Sequence, residues 1–386
     1  MEEKQFAIAV AVPRPLGGLF TYAIPEKWLG QASVGNWVEV PFGRAKTHAF
    51  IARGPVLVSE LGDSLPPGIR LKSVQAIGEQ GRVVPEDVWE LCEWAAQYYH
   101  APLGEVLNTA TPAASLGMKS KKKVARAVAP YLGVASELEL NSAQKRVAVE
   151  LEEYLQGAQV ALLQGITGSG KTEIYLHLAR RALSQGKSVL VLVPEIALTP
   201  QLNRRFEEGL GRRVALWHSA LADGVRRDLS WALREKQIQV VVGARSAVFA
   251  PIQDLGLIIV DEEHDSTYKQ EDRFRYQARD LAIVRGRIKN CPVLLGSATP
   301  SFESLERCEA GRYRRFELKE RAVVGASMPT LDCVDLTSEI WVQNTQAPIA
   351  ERTLEAIRET VARGEQVMVF LNRRGFAAFL ICEECG

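Results

Sequence analysis

The 386-residue sequence has no apolar run that approaches the roughly 18 residues of a membrane-spanning helix. Its start, MEEKQ, is acidic and lacks the basic opening and apolar stretch of a secretory leader. Cysteine is scarce, with six in all. Cys92, Cys291, Cys308 and Cys333 stand alone, and only Cys382 and Cys385 form a pair. Such usage excludes a disulfide framework and fits a cytoplasmic protein. Charge excess of either sign is also missing: 47 basic against 46 acidic residues leave a net +1. A polybasic protein is thereby excluded, and any contact with nucleic acid has to come from local patches. No internal repeat of fixed period is visible, which excludes a solenoid. What remains, 47% hydrophobic and 24% charged residues, is ordinary globular composition, with length for two or three domains.

The chain reads as four regions. Residues 1–112 begin with short strands punctuated by Pro and Gly (FAIAVAVP, LFTYAIP, NWVEVPFG, HAFIARGPVLV), which predict a small β-barrel or sandwich. Pro85 then opens a helix, PEDVWELCEWAAQYYH, whose apolar stripe and aromatics Trp89, Trp94, Tyr98 and Tyr99 read as packing. Residues 113–140 form a linker carrying the basic run Met118–Arg126, either a solvated tether or a phosphate-contacting strap. From LNSAQ at 140–144, an N-cap and helix start, residues 141–318 alternate continuous Val/Ile/Leu strands with amphipathic helices. Such alternation predicts a parallel sheet covered on both faces. Residues 319–386 hold a strand (LDCVDL), a helix (IAERTLEAIRETVARG) and a strand (QVMVFLN), the start of an α/β unit that is left incomplete. The fold class expected is therefore α/β: a RecA-like P-loop domain preceded by a β-rich domain.

Between the strand VALLQ and the helix TEIYLHLARRAL stands GITGSGKT, comprising Gly165, Ile166, Thr167, Gly168, Ser169, Gly170, Lys171 and Thr172. It fits the phosphate-binding P-loop. Glycines let backbone N–H groups approach an anion, and the following helix presents its electropositive end. Lys171 reaches the outer phosphates, and Thr172 offers a hydroxyl to Mg²⁺. After a later strand, GLIIV, comes Asp261, Glu262, Glu263, His264 and Asp265. An acid at a strand's carboxyl end suits an ATP-bound Mg²⁺, so Asp261 is the expected metal ligand and Glu262 the base that activates water. Ser297 and Thr299 of GSATP, after another buried strand, are expected to sense the γ-phosphate. The order of these three motifs along one sheet is that of the superfamily 2 helicases.

The longer segments LQGITGSGKTEIYL, LVPEIALTPQ, DEEHDSTYKQ, RYQARDLAIVR, GSATPS and FLNRRGFA, with FTYAIPE, VPFG and WAAQYYHAPLGEVL upstream, resemble the primosomal protein N′ (PriA) family. The resemblance implies an ATP-driven 3′→5′ DNA helicase of replication restart that recognises abandoned forks, binds forked and single-stranded DNA and starts primosome assembly. Primosome proteins and single-strand-binding protein are its implied partners, and the N-terminal domain is the implied holder of a DNA 3′ end. By the same resemblance Gln144 reads adenine, and Lys171, Thr172, Asp261, Glu262 and His264 belong to the ATPase motifs. Lys269, Arg273, Phe274, Arg275 and Tyr276 fall on an aromatic-rich loop that couples single-strand binding to hydrolysis. Cations alternating with aromatics suit phosphates and bases in their own right. Tyr22 and Arg245 are further DNA contacts that it implies. Cys382 and Cys385 would be half of a Zn²⁺ site, which closes with four ligands. Three departures stand out. Residues 113–139 are too few for the family's winged-helix domain. Thr21 stands where members carry an acid. The further zinc cysteines and the second motor lobe are expected to be missing. A redox role for the CxxC pair is the remaining rival, and no thioredoxin-like context supports it.

Overall fold

The buried apolar residues of FAIAVA, FTYAI and WVEVPF build the first layer of the protein. The computed structural model describes residues 5–64, 70–79, 81–111, 133, 135–136, 139–197, 200–322, 330–335 and 349–370. Strands β1 (Phe6–Ala11), β2 (Phe20–Ile24), β3 (Trp37–Phe42), β4 (Ala45–Leu57) and β5 (Ala76–Ile77) form one antiparallel sheet in the order β2-β1-β4-β3-β5. Adjacent residues of β4 serve opposite faces, as the two-residue period requires. Ala49 and Ile51 join Ile8, Val10, Val38 and Val40 in one core, while Phe50 turns to the other with Leu91 and Leu107. The two ends of the sheet also meet: Ala23 of β2 bridges Ser73, just before β5, with 2.9 Å backbone hydrogen bonds to Lys72 and Val74. The expected small barrel requires such closure, and two helices cover its outer face at Phe50. These are α1 (Glu86–Tyr98), entered from Pro85 as expected, and α2 (Leu103–Ala110).

The second layer system begins with α3 (Ser142–Tyr154), β6 (Val160–Gly165), α4 (Lys171–Ser184), β7 (Ser188–Leu192) and α5 (Pro200–Leu210). It continues through β8 (Val214–Trp217), α6 (Asp223–Arg234), β9 (Val240–Gly243) and β10 (Leu255–Val260). A short hairpin, β11 (Lys269–Gln270) and β12 (Tyr276–Gln277), leads into α7 (Ala278–Lys289). Then come β13 (Val293–Ser297), α8 (Phe302–Glu309) and β14 (Arg314–Leu318). Seven strands make an all-parallel sheet in the order β14-β6-β13-β10-β7-β9-β8, the RecA-like architecture expected from the sequence. Neighbouring β6, β13 and β10 end at Gly165, Ser297 and Val260, so the three motifs that follow them emerge side by side.

Contacts divide the chain into Met1–Val324 and Gly325–Gly386. In the first unit, both layer systems share a core. α1 packs along α7, and the aromatic and aliphatic side chains of the two halves form one cluster that includes Leu91, Cys92, Trp217, Phe249 and Leu281. At its centre Arg285, fully buried, donates from Nε (3.0 Å) and Nη2 (2.7 Å) to Asp87 of α1. Nη1 and Nη2 also donate to the carbonyls of Val248 (2.8 Å) and Ala250 (2.9 Å). Burial pushes the Cys291 thiol up to about 12 and raises that of Cys92, so both are inert core thiols. In the second unit, α9 (Glu351–Ala362) is the helix expected there. Of the two strands expected beside it, residues 331–335 and 366–370 stand in no ladder among the described residues, and 336 and 371–372 lie outside them. No helix among the described residues is long and apolar enough to cross a membrane.

Removing one partner of the buried pair leaves a charge without compensation, which costs about 3–5 kcal/mol. Asp87→Ala should therefore lower the unfolding free energy by about that much in urea titration, and adding Arg285→Met should restore much of it. Equal loss in the single and double variants would contradict this account.

Candidate nucleotide-binding site

The P-loop is braced before any ligand arrives. Asn141 and Gln144 cap α3 reciprocally: Gln144 N donates to Asn141 Oδ1, and Asn141 N donates to Gln144 Oε1, each at 2.9 Å. The Gln144 amide nitrogen then crosses to the P-loop and donates to the Ser169 carbonyl at 3.0 Å. Both polar ends of this buried side chain are engaged within the chain. It positions the loop here. Gly170 holds φ +82° and ends 2.2 Å from that amide nitrogen if given a Cβ, so no other residue fits there. Gly168, at φ +79°, faces open space, and the buried Ser169 Oγ has no hydrogen-bond partner among the described residues. An open concavity of backbone amides at the start of α4, with one orphaned hydroxyl, fits a triphosphate.

Lys171 Nζ donates to the Gly165 carbonyl at 3.1 Å and lies 3.5 Å from Glu262 Oε1. Glu262 takes φ +45°, a strained backbone for a glutamate and one that concentrates at functional turns. Asp261 receives a 2.8 Å hydrogen bond from the Tyr175 hydroxyl, and its carbonyl accepts another from Tyr268 at 2.6 Å. Burial raises the Asp261 carboxyl above the usual range; the Tyr175 hydroxyl and Lys171 oppose that shift, and Glu262 adds to it. Tyr175 itself is pushed well above its ordinary value by burial and then by Asp261, so it stays protonated and donates. His264 bridges to the third motif: Nδ1 lies 2.8 Å from Ser297 Oγ and Nε2 3.5 Å from Thr299 Oγ1. Lys171, Asp261, Glu262, His264, Ser297 and Thr299 are thus brought to one sheet edge, with Thr172 on the first turn of α4.

Several working residues carried no sequence signal. Glu263 is completely buried and accepts from Ser301 N (2.7 Å), Ser301 Oγ (3.0 Å), Ser304 Oγ (2.9 Å) and Arg279 Nη1 (2.9 Å). It ties the acidic turn to the start of α8 and to α7. Tyr268 and Tyr175 are equally silent, although a tyrosine on the apolar face of α4 needs a partner for its hydroxyl.

The aromatic hairpin departs from expectation. Phe274 and Tyr276 are 2% and 3% exposed and stack on each other at 5.2 Å. Tyr99 of α1 meets the Phe274 edge at 5.8 Å, and its hydroxyl accepts from Gln277 N at 3.1 Å. Both rings therefore belong to the core and offer no face to a base. Arg273, at φ +54°, and Arg275 flank the buried Phe274 ring on the turn between the two short strands and are exposed, as is Lys269. Arg245 is half-buried and donates from Nη1 to the carbonyls of Thr267 and Lys269, each at 3.2 Å. Tyr22 is buried on β2, its hydroxyl donating to the Pro41 carbonyl at 3.0 Å. Of the expected DNA contacts, Lys269, Arg273 and Arg275 are exposed and Arg245 is half-buried, while Tyr22, Phe274 and Tyr276 are buried. Cys382, Cys385, the basic run at 118–126 and most of FLNRRGFA lie outside the described residues.

Two family profiles match this sequence: a 3′ DNA-binding domain of PriA over residues 9–112, and a DEAD/DEAH box helicase over 141–308. The replication restart protein PriA of Haemophilus influenzae is 34% identical over 98% of this chain and 60% of its own length. PriA of Bacillus subtilis is 45% identical over 64% of this chain and 31% of its own. The chain thus spans about 60% or less of these relatives. The solved structure of RecG bound to a three-way DNA junction superposes with a TM-score of 0.38 and 23% identity over 50% of this chain and 25% of its own.

The buried Phe274 ring gives a direct check on the hairpin. Phe274→Ala should cost about 3–5 kcal/mol of stability, as deletion of a core ring does. A thermal or urea midpoint equal to the parent's would return the ring to the surface.

Proposed function

Because the chain belongs to the PriA replication restart family, whose N-terminal portion it matches, we propose that it binds ATP with Mg²⁺ at the P-loop and DNA through its N-terminal domain. In this reading it is the 3′-end-capturing part and first motor lobe of a 3′→5′ helicase that acts at stalled or abandoned forks. Forked and single-stranded DNA are the substrates, and primosome proteins and single-strand-binding protein are partners. The observation that carries the reading is the adjacency of Lys171, Asp261 and Ser297 at the ends of three neighbouring parallel strands.

The residues divide the work as follows. The Gly168–Gly170 amides and Lys171 hold the phosphates. Thr172 and Asp261 would hold Mg²⁺, which when bound supplies charge neutralisation on the outer phosphates. Lys171 exchanges its ion pair with Glu262 for the phosphates and so frees that carboxylate. Glu262 then orients the attacking water and takes its proton. His264, touching Ser297 and Thr299, couples that turn to the GSATP loop. Lys269, Arg273 and Arg275 present positive charge to a nucleic-acid backbone. A structural zinc at Cys382 and Cys385 rests on the resemblance alone.

A second reading keeps both binding activities without unwinding. Translocation needs two lobes that close on ATP and open after hydrolysis, and the described residues contain one parallel sheet. Strand separation of a forked duplex by the 386-residue chain decides between the two.

Lys171→Ala should abolish binding of a fluorescent ATP analogue while leaving affinity for an oligonucleotide with a free 3′ end unchanged, since no second cation stands in the loop. Undiminished nucleotide affinity in the variant would overturn the assignment.

A further inference from the structure

The face of α4 that follows the P-loop is apolar, with Ile174, Leu178 and Ala179 buried, and Tyr175 stands among them fully enclosed. A buried phenol has to find an acceptor, and here the acceptor is the Asp261 carboxylate, 2.8 Å from its oxygen. Space for that hydroxyl exists because residue 296, on the neighbouring strand β13, is glycine. A Cβ there would lie 1.7 Å from the Tyr175 oxygen and 2.8 Å from Cζ. Three elements therefore meet at one oxygen: the helix that carries Lys171, the strand end that carries Asp261 and the strand that leads to Ser297. Tyr268 holds the main chain of the same aspartate through its carbonyl at 2.6 Å.

We propose that Tyr175 is a positioning residue for Mg²⁺: its hydroxyl fixes the orientation of the Asp261 carboxylate, and Gly296 is present to admit it. The proposal rests on the nucleotide-binding reading above and adds to it a role that no phosphate contact supplies. A carboxylate that must direct an oxygen to a metal loses affinity when free to rotate, and an orienting hydrogen bond removes that freedom. The remaining Asp261 oxygen is then the one directed toward the cation. The phenol is not expected to touch nucleotide, because it lies behind the aspartate in the core. Removing it should therefore alter metal dependence and spare metal-free nucleotide binding.

The test titrates a fluorescent ADP analogue into the whole chain, with EDTA and across a Mg²⁺ series, for the parent, Tyr175→Phe, Gly296→Ala, the double variant and Lys171→Ala. Tyr175→Phe keeps the ring and its packing. It should raise the Mg²⁺ concentration for half-maximal enhancement of binding about 10–100-fold and leave affinity in EDTA within about twofold of the parent. Gly296→Ala should lower the melting temperature more in the tyrosine background than in the phenylalanine one, because the severest overlap is with the hydroxyl. That coupling is read without nucleotide. An unchanged Mg²⁺ midpoint in Tyr175→Phe, in a parent whose binding is Mg²⁺-dependent and lost in Lys171→Ala, overturns the inference alone. Equal weakening with and without Mg²⁺ overturns it too, since that marks a general packing role. A parent without Mg²⁺-dependent binding, or a Lys171→Ala variant that keeps it, overturns the nucleotide reading and this inference together.

Discussion

The parallel pairing of β6, β13 and β10 is the constraint on which the site depends. A parallel ladder sends all its strands out at one edge, and three adjacent strands deliver their loops within reach of one another. Everything specific to the site is then a matter of short links between those loops. Gln144 braces the P-loop, Tyr175 reaches from α4 to Asp261, His264 reaches to Ser297, and Glu263 ties the acidic turn to α8. Each of these links is anchored in the core or in a helix cap. The aspartate is held at both its side chain and its main chain, which suits a ligand that must not move when charge arrives.

The hairpin after Asp261 is bound into the same construction. Tyr268 lies immediately before β11, Arg245 fastens the carbonyls on either side of it, and Tyr99 from the N-terminal half closes over Phe274. The exposed cations of the hairpin are therefore one tyrosine away from the metal-binding candidate and one away from the N-terminal sheet's helices. A shift of the hairpin would be felt at Asp261 through its carbonyl. That is a physical route by which occupancy at one surface alters geometry at another, and it runs through named contacts.

Much of this was legible in the sequence, for identifiable reasons. Continuous Val, Ile and Leu runs between amphipathic helices announced the parallel sheet, and the P-loop and acidic motifs sat on the strands they needed. β14 was not recognised, because RRFEL is charged and pairs only at the sheet edge beside β6. The eight-residue helices α2 and α8 are too short to show a period. The burial of Phe274 and Tyr276 was out of reach for a different reason. Alternation along a hairpin separates two faces, but which one is covered is decided by Tyr99, 178 residues from its hydrogen-bonded partner Gln277. LNSAQ announces a helix start, but nothing in its spacing shows that the Gln144 amide crosses to the Ser169 carbonyl of the P-loop.

The core shared by α1 and α7 also bears on how this chain can be divided. Profiles for the two halves end at 112 and begin at 141, which invites a cut between them. Such a cut would not release two native pieces. The motor piece would keep a guanidinium at Arg285 whose carboxylate partner Asp87 had left, beside newly wetted Trp217, Phe249 and Phe274. The other piece would expose Leu91, Cys92 and Leu107 along its helices. Each would behave as a sticky, partly opened surface, and mixing the two should reassemble them more readily than either would stay in solution alone.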